Sequence, residues 1–191
     1  MPIKNFGLKT LCAVLALSIC TVANTHELQD NRATLVQRDA RHVSLQLYVS
    51  LPQVMHRVLA PQRPFSEFVM AMAAATPAEF ANAALAVKKQ VEQELRVVDD
   101  KGVAIVLSNW TWPKEPQLQA ALRDRAMALT VAPTEHAHDS PLEVRAELRH
   151  SQPITTLRVQ FPAALKKVML VYYRPKQVWV EPAQASPLVS F

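Results

Sequence analysis

Glycine is almost missing from this sequence. The chain has two glycines, and Gly102 is the one that lies beyond the first 23 residues. Phosphate-binding loops, dinucleotide-binding turns and nucleophile elbows all need glycine, where the backbone approaches a ligand or turns sharply. The composition therefore argues against nucleotide-dependent enzymes and α/β-hydrolases. We find no set of catalytic residues and expect a binding protein rather than an enzyme.

Cysteine is equally scarce. The two cysteines are Cys12 and Cys20, and both belong to the N-terminal apolar segment. The rest of the chain can form no disulfide, thiolate nucleophile, zinc–cysteine site or iron–sulfur cluster. The bulky Ile19 before Cys20 argues against a lipoprotein signal. An exported domain without disulfides favours a bacterial source.

The N-terminal segment is typical of a cleavable signal peptide. Lys4 and Lys9 supply a positive start, and Leu11–Val22 is almost entirely apolar. This apolar run is shorter than the roughly 20 residues that span a bilayer as a helix, and it ends in small residues at Ala23. We predict a signal peptide over 1–23 and a single exported globular domain over 24–191, in the periplasm or secreted.

Charge of one sign does not dominate any face of the predicted domain. The chain has a formal net charge of +5, and its strands mix both signs, as at Glu143, Arg145, Glu147 and Arg149. A protein that follows phosphates along a nucleic acid needs a continuous basic stripe. We therefore expect no nucleic acid partner.

Alternation of apolar and polar residues predicts short strands around a helical insertion. Residues 32–50 fit a hairpin, and 142–148 show the clearest alternation, with Leu142, Val144, Ala146 and Leu148 inward. Further strands are predicted at 95–98, 103–107, 126–132, 154–161, 168–173 and 177–180. The spacing indicates an α+β fold, mainly an antiparallel β-sheet or sandwich.

The helical insertion is predicted over about 52–95, between the second and third strands. Helices are expected around 52–59 and 65–75, before a third that opens at Thr76 with a capping box to Glu79. Its apolar face at helical spacing comprises Phe80, Ala84, Val87, Val91 and Leu95. A further short helix is expected over 116–125.

Histidine near the predicted mature terminus suggests a metal site. Cleavage after Ala23 makes His26 the third residue, so the terminal amine, two backbone amides and the imidazole can form a square-planar nitrogen set that suits copper(II). Cleavage after Thr25 would instead make His26 the N-terminus, with amine and ring nitrogen chelating one copper. An exposed histidine without a ligand is the plain alternative.

A second histidine feature lies far along the chain. In an extended segment, residues two apart point to the same side, so His136 and His138 can converge on one ion. Glu135 and Asp139 add oxygen atoms beside them. A surface loop without a ligand is again the alternative.

An N-terminal histidine with a distant His-x-His resembles the copper site in the soluble domain of the particulate methane monooxygenase B subunit. The resemblance covers His26, His136 and His138 and implies a copper cofactor, while the surrounding residues do not match that subunit. Being confined to a site, it implies nothing about fold or oxidation chemistry.

Two functional hypotheses follow. The first is a periplasmic protein that binds copper, or a similar divalent metal, through these histidines. The alternative is an envelope interaction module that docks on a membrane protein without metal. Its candidate recognition patch comprises Tyr172, Tyr173, Arg174, Lys176 and Trp179, for which packing of the rings under a cation–π lid is the plain alternative. Trp110 and Trp112 are expected to pack in or beside the core. His42 and His150 are expected on solvent faces of strands, and His56 on a helix.

Overall fold

The computed structural model describes residues 31–131, 141–176 and 180. Its strands are β1 (Asn31–Asp39), β2 (His42–Val49), β3 (Arg96–Val98), β4 (Ala104–Ile105), β5 (Leu107–Thr111), β6 (Leu142–Arg149), β7 (Arg158–Gln160) and β8 (Val168–Tyr173). Its helices are α1 (Leu51–Leu59), α2 (Phe65–Ala73), α3 (Pro77–Glu94) and α4 (Glu115–Val131), with a 3-10 turn at Ala163–Leu165. The predicted signal peptide lies outside the described residues.

The strands form two sheets. The larger has five strands in the order β5-β6-β2-β1-β8, and the smaller has three in the order β4-β3-β7. Every pair is antiparallel except β1 with β8, which run parallel. Helices α1, α2 and α3 lie between the second and third strands of the chain. The α+β prediction with an inserted helical segment is confirmed.

The β1–β2 hairpin forms because both strands alternate apolar and polar residues. Leu35 lies opposite Leu45, and β2 continues the ladder to β6 with Leu45 opposite Ala146. These side chains share the inner face of the sheet and are buried in one hydrophobic cluster with the helices. On β6, Val144, Ala146 and Leu148 are buried as predicted, while Leu142 is half-buried.

Helix α3 begins at the predicted capping box. The Glu79 amide donates to Thr76 Oγ1 at 3.3 Å, and the Thr76 amide donates to Glu79 Oε2 at 2.9 Å. Hydrogen bonds from Thr76 lower the pKa of the Glu79 carboxyl. The buried side of the helix comprises Phe80, Ala84, Val87 and Val91, as the spacing predicts. The cap therefore starts a helix whose apolar stripe closes the core.

The sole glycine of the described chain lies in the predicted loop between β3 and β4. Gly102 has a φ of +81°, a region that favours glycine. Its amide donates to the Asp99 carbonyl at 3.2 Å, and Asp99 Oδ1 accepts from the amide of Val103 at 2.7 Å. In this turn Asp99 accepts a backbone hydrogen bond through its side chain, and Gly102 allows the positive φ.

Two strand predictions are wrong, and one cannot be compared fully. Residues 126–131 continue α4, because Leu118, Leu122 and Ala126 repeat at helical spacing on its buried side. The strand expected over 154–161 is limited to β7, since Ile154 instead donates its amide to the Ala40 carbonyl at the tip of the first hairpin. For the strand predicted at 177–180, residues 177–179 lie outside the described residues, and Val180 is not in a strand.

Each helix in the described ranges is too short or too polar to cross a bilayer.

Candidate functional site

The three predicted metal ligands cannot be placed. His26, His136 and His138 all lie outside the residues that the structure describes. Within 31–131 and 141–176, no three His, Cys, Asp or Glu side chains come together in a group able to hold a metal ion. The metal hypothesis therefore stays a prediction from the sequence.

The structure does locate the strands to which these histidines are joined. Strands β1 and β6 both run antiparallel to β2, so they run in the same direction. The pairs Arg32–Tyr48 and Leu142–Val49 place both strand starts at the same end of the sheet. With β2 between them, the two starts are about 10 Å apart, from the usual spacing of neighbouring strands.

The two connecting segments are long enough to meet. His26 precedes β1 by five residues, and His138 precedes β6 by four. An extended chain covers up to about 3.6 Å per residue, so each segment can reach farther than the distance between the strand starts. Chain length thus permits the two histidine features to bind one ion.

The remaining histidines contact protein groups. His42, expected on a solvent face, is only 16% exposed in its side chain, and its Nε2 is hydrogen-bonded to Glu147 Oε2. His56 packs against the rings of Phe65 and Phe68, with centroids 5.4 and 5.3 Å apart. His42 lies on the outer face of β2, as expected, but the ladder between β2 and β6 brings Glu147 beside it and covers part of the ring, which is not visible from β2 alone.

The two tryptophans pack as predicted. Their rings are stacked with centroids 6.4 Å apart, and both are half-buried against the core. Trp112 donates from Nε1 to Glu92 Oε1 at 2.7 Å, which joins β5 to α3. Trp112 also borders a cleft of about 340 Å³, in which Arg145 pairs with Glu143 and lowers the pKa of that carboxyl. The two charged side chains that line this cleft, Arg145 and Glu143, are therefore paired with each other.

Strand β8 is the unusual surface of the described protein. It forms one edge of the five-stranded sheet, and of the described strands only β1 pairs with it. Its last five side chains are Met169, Leu170, Val171, Tyr172 and Tyr173, which are between 38% and 78% exposed. Edge strands of soluble proteins are usually short or interrupted by charge, because an apolar open edge invites pairing with another chain. β8 contains no charge at all.

A groove of about 600 Å³ runs beside this edge. One wall is formed by Leu170 and Tyr172 of β8, and the opposite wall by Leu157 and Val159 in and before β7. Strand β7 is itself an edge of the three-stranded sheet, so the groove opens where the two sheets end. Its other apolar lining residues are Leu35, Val43 and Ile154.

The groove has a fixed wall. Gln37 donates from Nε2 to the Ile154 carbonyl at 2.8 Å, and the Ile154 amide donates to the Ala40 carbonyl at 2.6 Å. These bonds hold the segment before β7 against the end of the first hairpin. The part of the groove wall that contains Ile154 is therefore held in place by hydrogen bonds to the first hairpin, and most of the side chains that line the groove are apolar.

Positive charge is concentrated around the same edge. Residues 150–180 contain no aspartate or glutamate and five cationic side chains, Arg158, Lys166, Lys167, Arg174 and Lys176. This formal charge of +5 equals that of the whole chain, so the remaining residues are formally neutral together. Tyr172, Tyr173, Arg174 and Lys176 belong to the patch predicted from the sequence, but that prediction did not include the run of cations without an acidic residue. Counting charge by segment would have found this surface.

A scan of protein-family models found no match to this chain, and searches of curated proteins and of solved structures found none either.

Proposed function

We propose that the protein is an exported interaction module of the bacterial envelope, which binds an extended segment of a partner protein along β8. The observation that carries this proposal is the coincidence of an uncharged, apolar strand at the edge of the described sheet with an apolar groove directly beside it. The predicted signal peptide supports the periplasmic location, where a membrane protein of the envelope is the expected partner.

Strand addition explains why both features lie together. A peptide that pairs with a sheet edge gains affinity from main-chain hydrogen bonds and specificity from pockets for alternate side chains. Along β8, Leu170 and Tyr172 border the groove, because they pair with Ala33 and Leu35 on the inner face of the sheet. An added strand would thus place every second side chain beside the groove.

The opposite side of β8 supplies a second apolar contact. Met169 and Val171 alternate with Leu170 and Tyr172 and pair with Arg32 and Thr34 of β1, while Tyr173, at the end of the strand, also lines the groove. The side chains of Met169 and Val171 are both exposed. A bound strand could therefore cover apolar area on both faces, at roughly 25 cal/mol for each Å² removed from water.

Cross-linking in intact cells tests this proposal. A photoreactive residue at position 172, where Tyr172 is 78% exposed, is expected to give one discrete adduct with an envelope protein. The same residue at Met127, which is 69% exposed on α4, is expected to give no such adduct. Mass spectrometry of the adduct should identify an extended segment of the partner.

Three results would contradict the interaction module. The first is equal adducts from both positions, which indicates non-specific contact. The second is no adduct from position 172. The third is an adduct that joins two copies of this chain.

Copper binding is the second candidate function. We propose that His26, His136 and His138 bind copper(II) or a similar divalent ion. The supporting observation is that β1 and β6 begin at the same end of the sheet, within reach of both histidine segments. Imidazole and terminal amine nitrogens suit copper(II).

Titration of the processed protein with copper(II), followed by its spin-resonance spectrum, tests the second candidate. His26→Ala is expected to change the nitrogen hyperfine pattern and weaken binding by at least about 10-fold, because it removes one imidazole from the terminal chelate. His42→Ala, in the described part of the sheet, is the matched control and should bind as the parent does. Unchanged affinity in His26→Ala would rule out the site.

A further inference from the structure

We infer that the partner segment is a short apolar strand with acidic residues at both of its ends. This inference rests on the proposed function, because it names the chemistry of what binds β8. It follows from the way charge is arranged along and beyond the strand.

The cations lie at the two ends of β8. Lys166 and Lys167 precede Val168, and Arg174 and Lys176 follow Tyr173; all four residues are exposed. The six residues between them are uncharged and measure about 20 Å as a strand. A partner strand aligned with β8 would therefore place its own flanking residues beside these cations.

The turn before β8 fixes where the first cations lie. The Leu165 amide donates to the Pro162 carbonyl at 3.0 Å, and the Lys166 amide donates to the Ala163 carbonyl at 3.0 Å. Leu165 is fully buried, and its carbonyl accepts from the Asn31 side chain at the start of β1. The position of Lys166 relative to the sheet is thus set by the fold.

A second copy of this chain fits the edge poorly. Antiparallel pairing of β8 with itself, with Val168 of each copy opposite Tyr173 of the other, would bring Lys167 of one copy opposite Arg174 of the other at both ends of the ladder. Like charges opposite each other destabilise strand pairs. The same cations that favour an acidic partner therefore oppose self-association, as charged flanks do at other sheet edges.

A membrane surface also fits less well than a polypeptide. Cations with exposed tyrosines could approach anionic lipids, but β8 is an edge strand among the strands that the structure describes. Its outward amide and carbonyl groups would lose their hydrogen bonds to water in hydrocarbon, at a cost of several kcal/mol each. A partner strand satisfies those groups.

Titration with three synthetic peptides tests the inference. Each has the same core of alternating valine and threonine, flanked at both ends by two glutamates, two glutamines or two lysines. We expect the glutamate peptide to bind at least about 10-fold more tightly than the glutamine peptide and the lysine peptide to bind weakest. This advantage should shrink at high salt, where the Debye length falls to about 3 Å.

Charge reversal at the two ends sharpens the test. The double variant Lys166→Glu/Arg174→Glu leaves one positive and one negative side chain at each end of β8, so it is expected to abolish the preference for the glutamate peptide over the lysine peptide. The matched control Lys89→Glu/Lys114→Glu changes net charge equally, at exposed positions outside the groove, and should keep the original ranking.

The outcomes separate this inference from the proposed function. Equal affinity for all three peptides, or binding of none, would overturn the acidic partner. Binding to vesicles of phosphatidylglycerol that depends on Lys166 and Arg174, without peptide binding, would overturn it in favour of a lipid. The proposed function is tested separately by the cross-linking experiment, where the absence of a discrete adduct from position 172 would contradict it.

Discussion

Phe80→Ala is expected to lower the free energy of unfolding by about 3–5 kcal/mol, the usual range for removing a fully buried phenylalanine. Phe80 lies in the first turns of α3 and is 1% exposed. It is among the largest fully buried side chains of the described protein. Loss of the ring would leave a cavity where the inserted helices meet the core of the sheet.

Leu85→Ala is the matched control for that experiment. Leu85 belongs to the same helix but is 64% exposed, so its truncation should change the free energy of unfolding by no more than about 0.5 kcal/mol. Urea denaturation followed by circular dichroism measures both variants. An equal decrease in the free energy of unfolding for both variants would mean that the apolar face of α3 does not pack against the core as described above.

Leu47→Asp is expected to prevent folding at neutral pH. Leu47 is fully buried on β2, whose neighbours on either side are β1 and β6. Its partners on the two neighbouring strands are the apolar residues Ala33 and Val144, and burying an unpaired charge costs several kcal/mol. This cost is comparable with the total stability of about 5–15 kcal/mol that domains possess.

The adjacent position supplies the control for the sheet. Gln46 points to the opposite face of β2, where Arg145 is its partner on β6. Gln46→Asp should therefore fold, with a stability within about 0.5 kcal/mol of the parent. One-dimensional proton spectra distinguish folded from unfolded protein in both cases. A folded Leu47→Asp variant would contradict the assignment of the inner face.

Local patterns explain which parts of the fold the sequence predicts. The first hairpin and the α3 cap depend on neighbours in the chain, such as Thr76 with Glu79, and both were predicted correctly. The end of α4 was missed because the apolar residues at 126–131 suit a strand as well as a helix. Only the contacts of Leu118 and Leu122 with the core decide between them.

Non-local pairing explains what the sequence could not predict about the candidate site. The exposed tyrosines of β8 are visible in the sequence, but their position at a sheet edge depends on parallel pairing with β1, more than 130 residues earlier. The groove likewise depends on the Ile154 segment being held by Gln37 and Ala40. His26, His136 and His138 remain a prediction of the sequence.

Amide hydrogen exchange along β8 tests the account most directly. It is measured for the protein alone and for its complex with the partner identified by cross-linking. Alternate amides of Val168–Tyr173 should exchange rapidly in the free protein and become strongly protected in the complex, since an added strand accepts their hydrogen bonds. A complex that leaves the exchange rates of β8 unchanged would contradict strand addition.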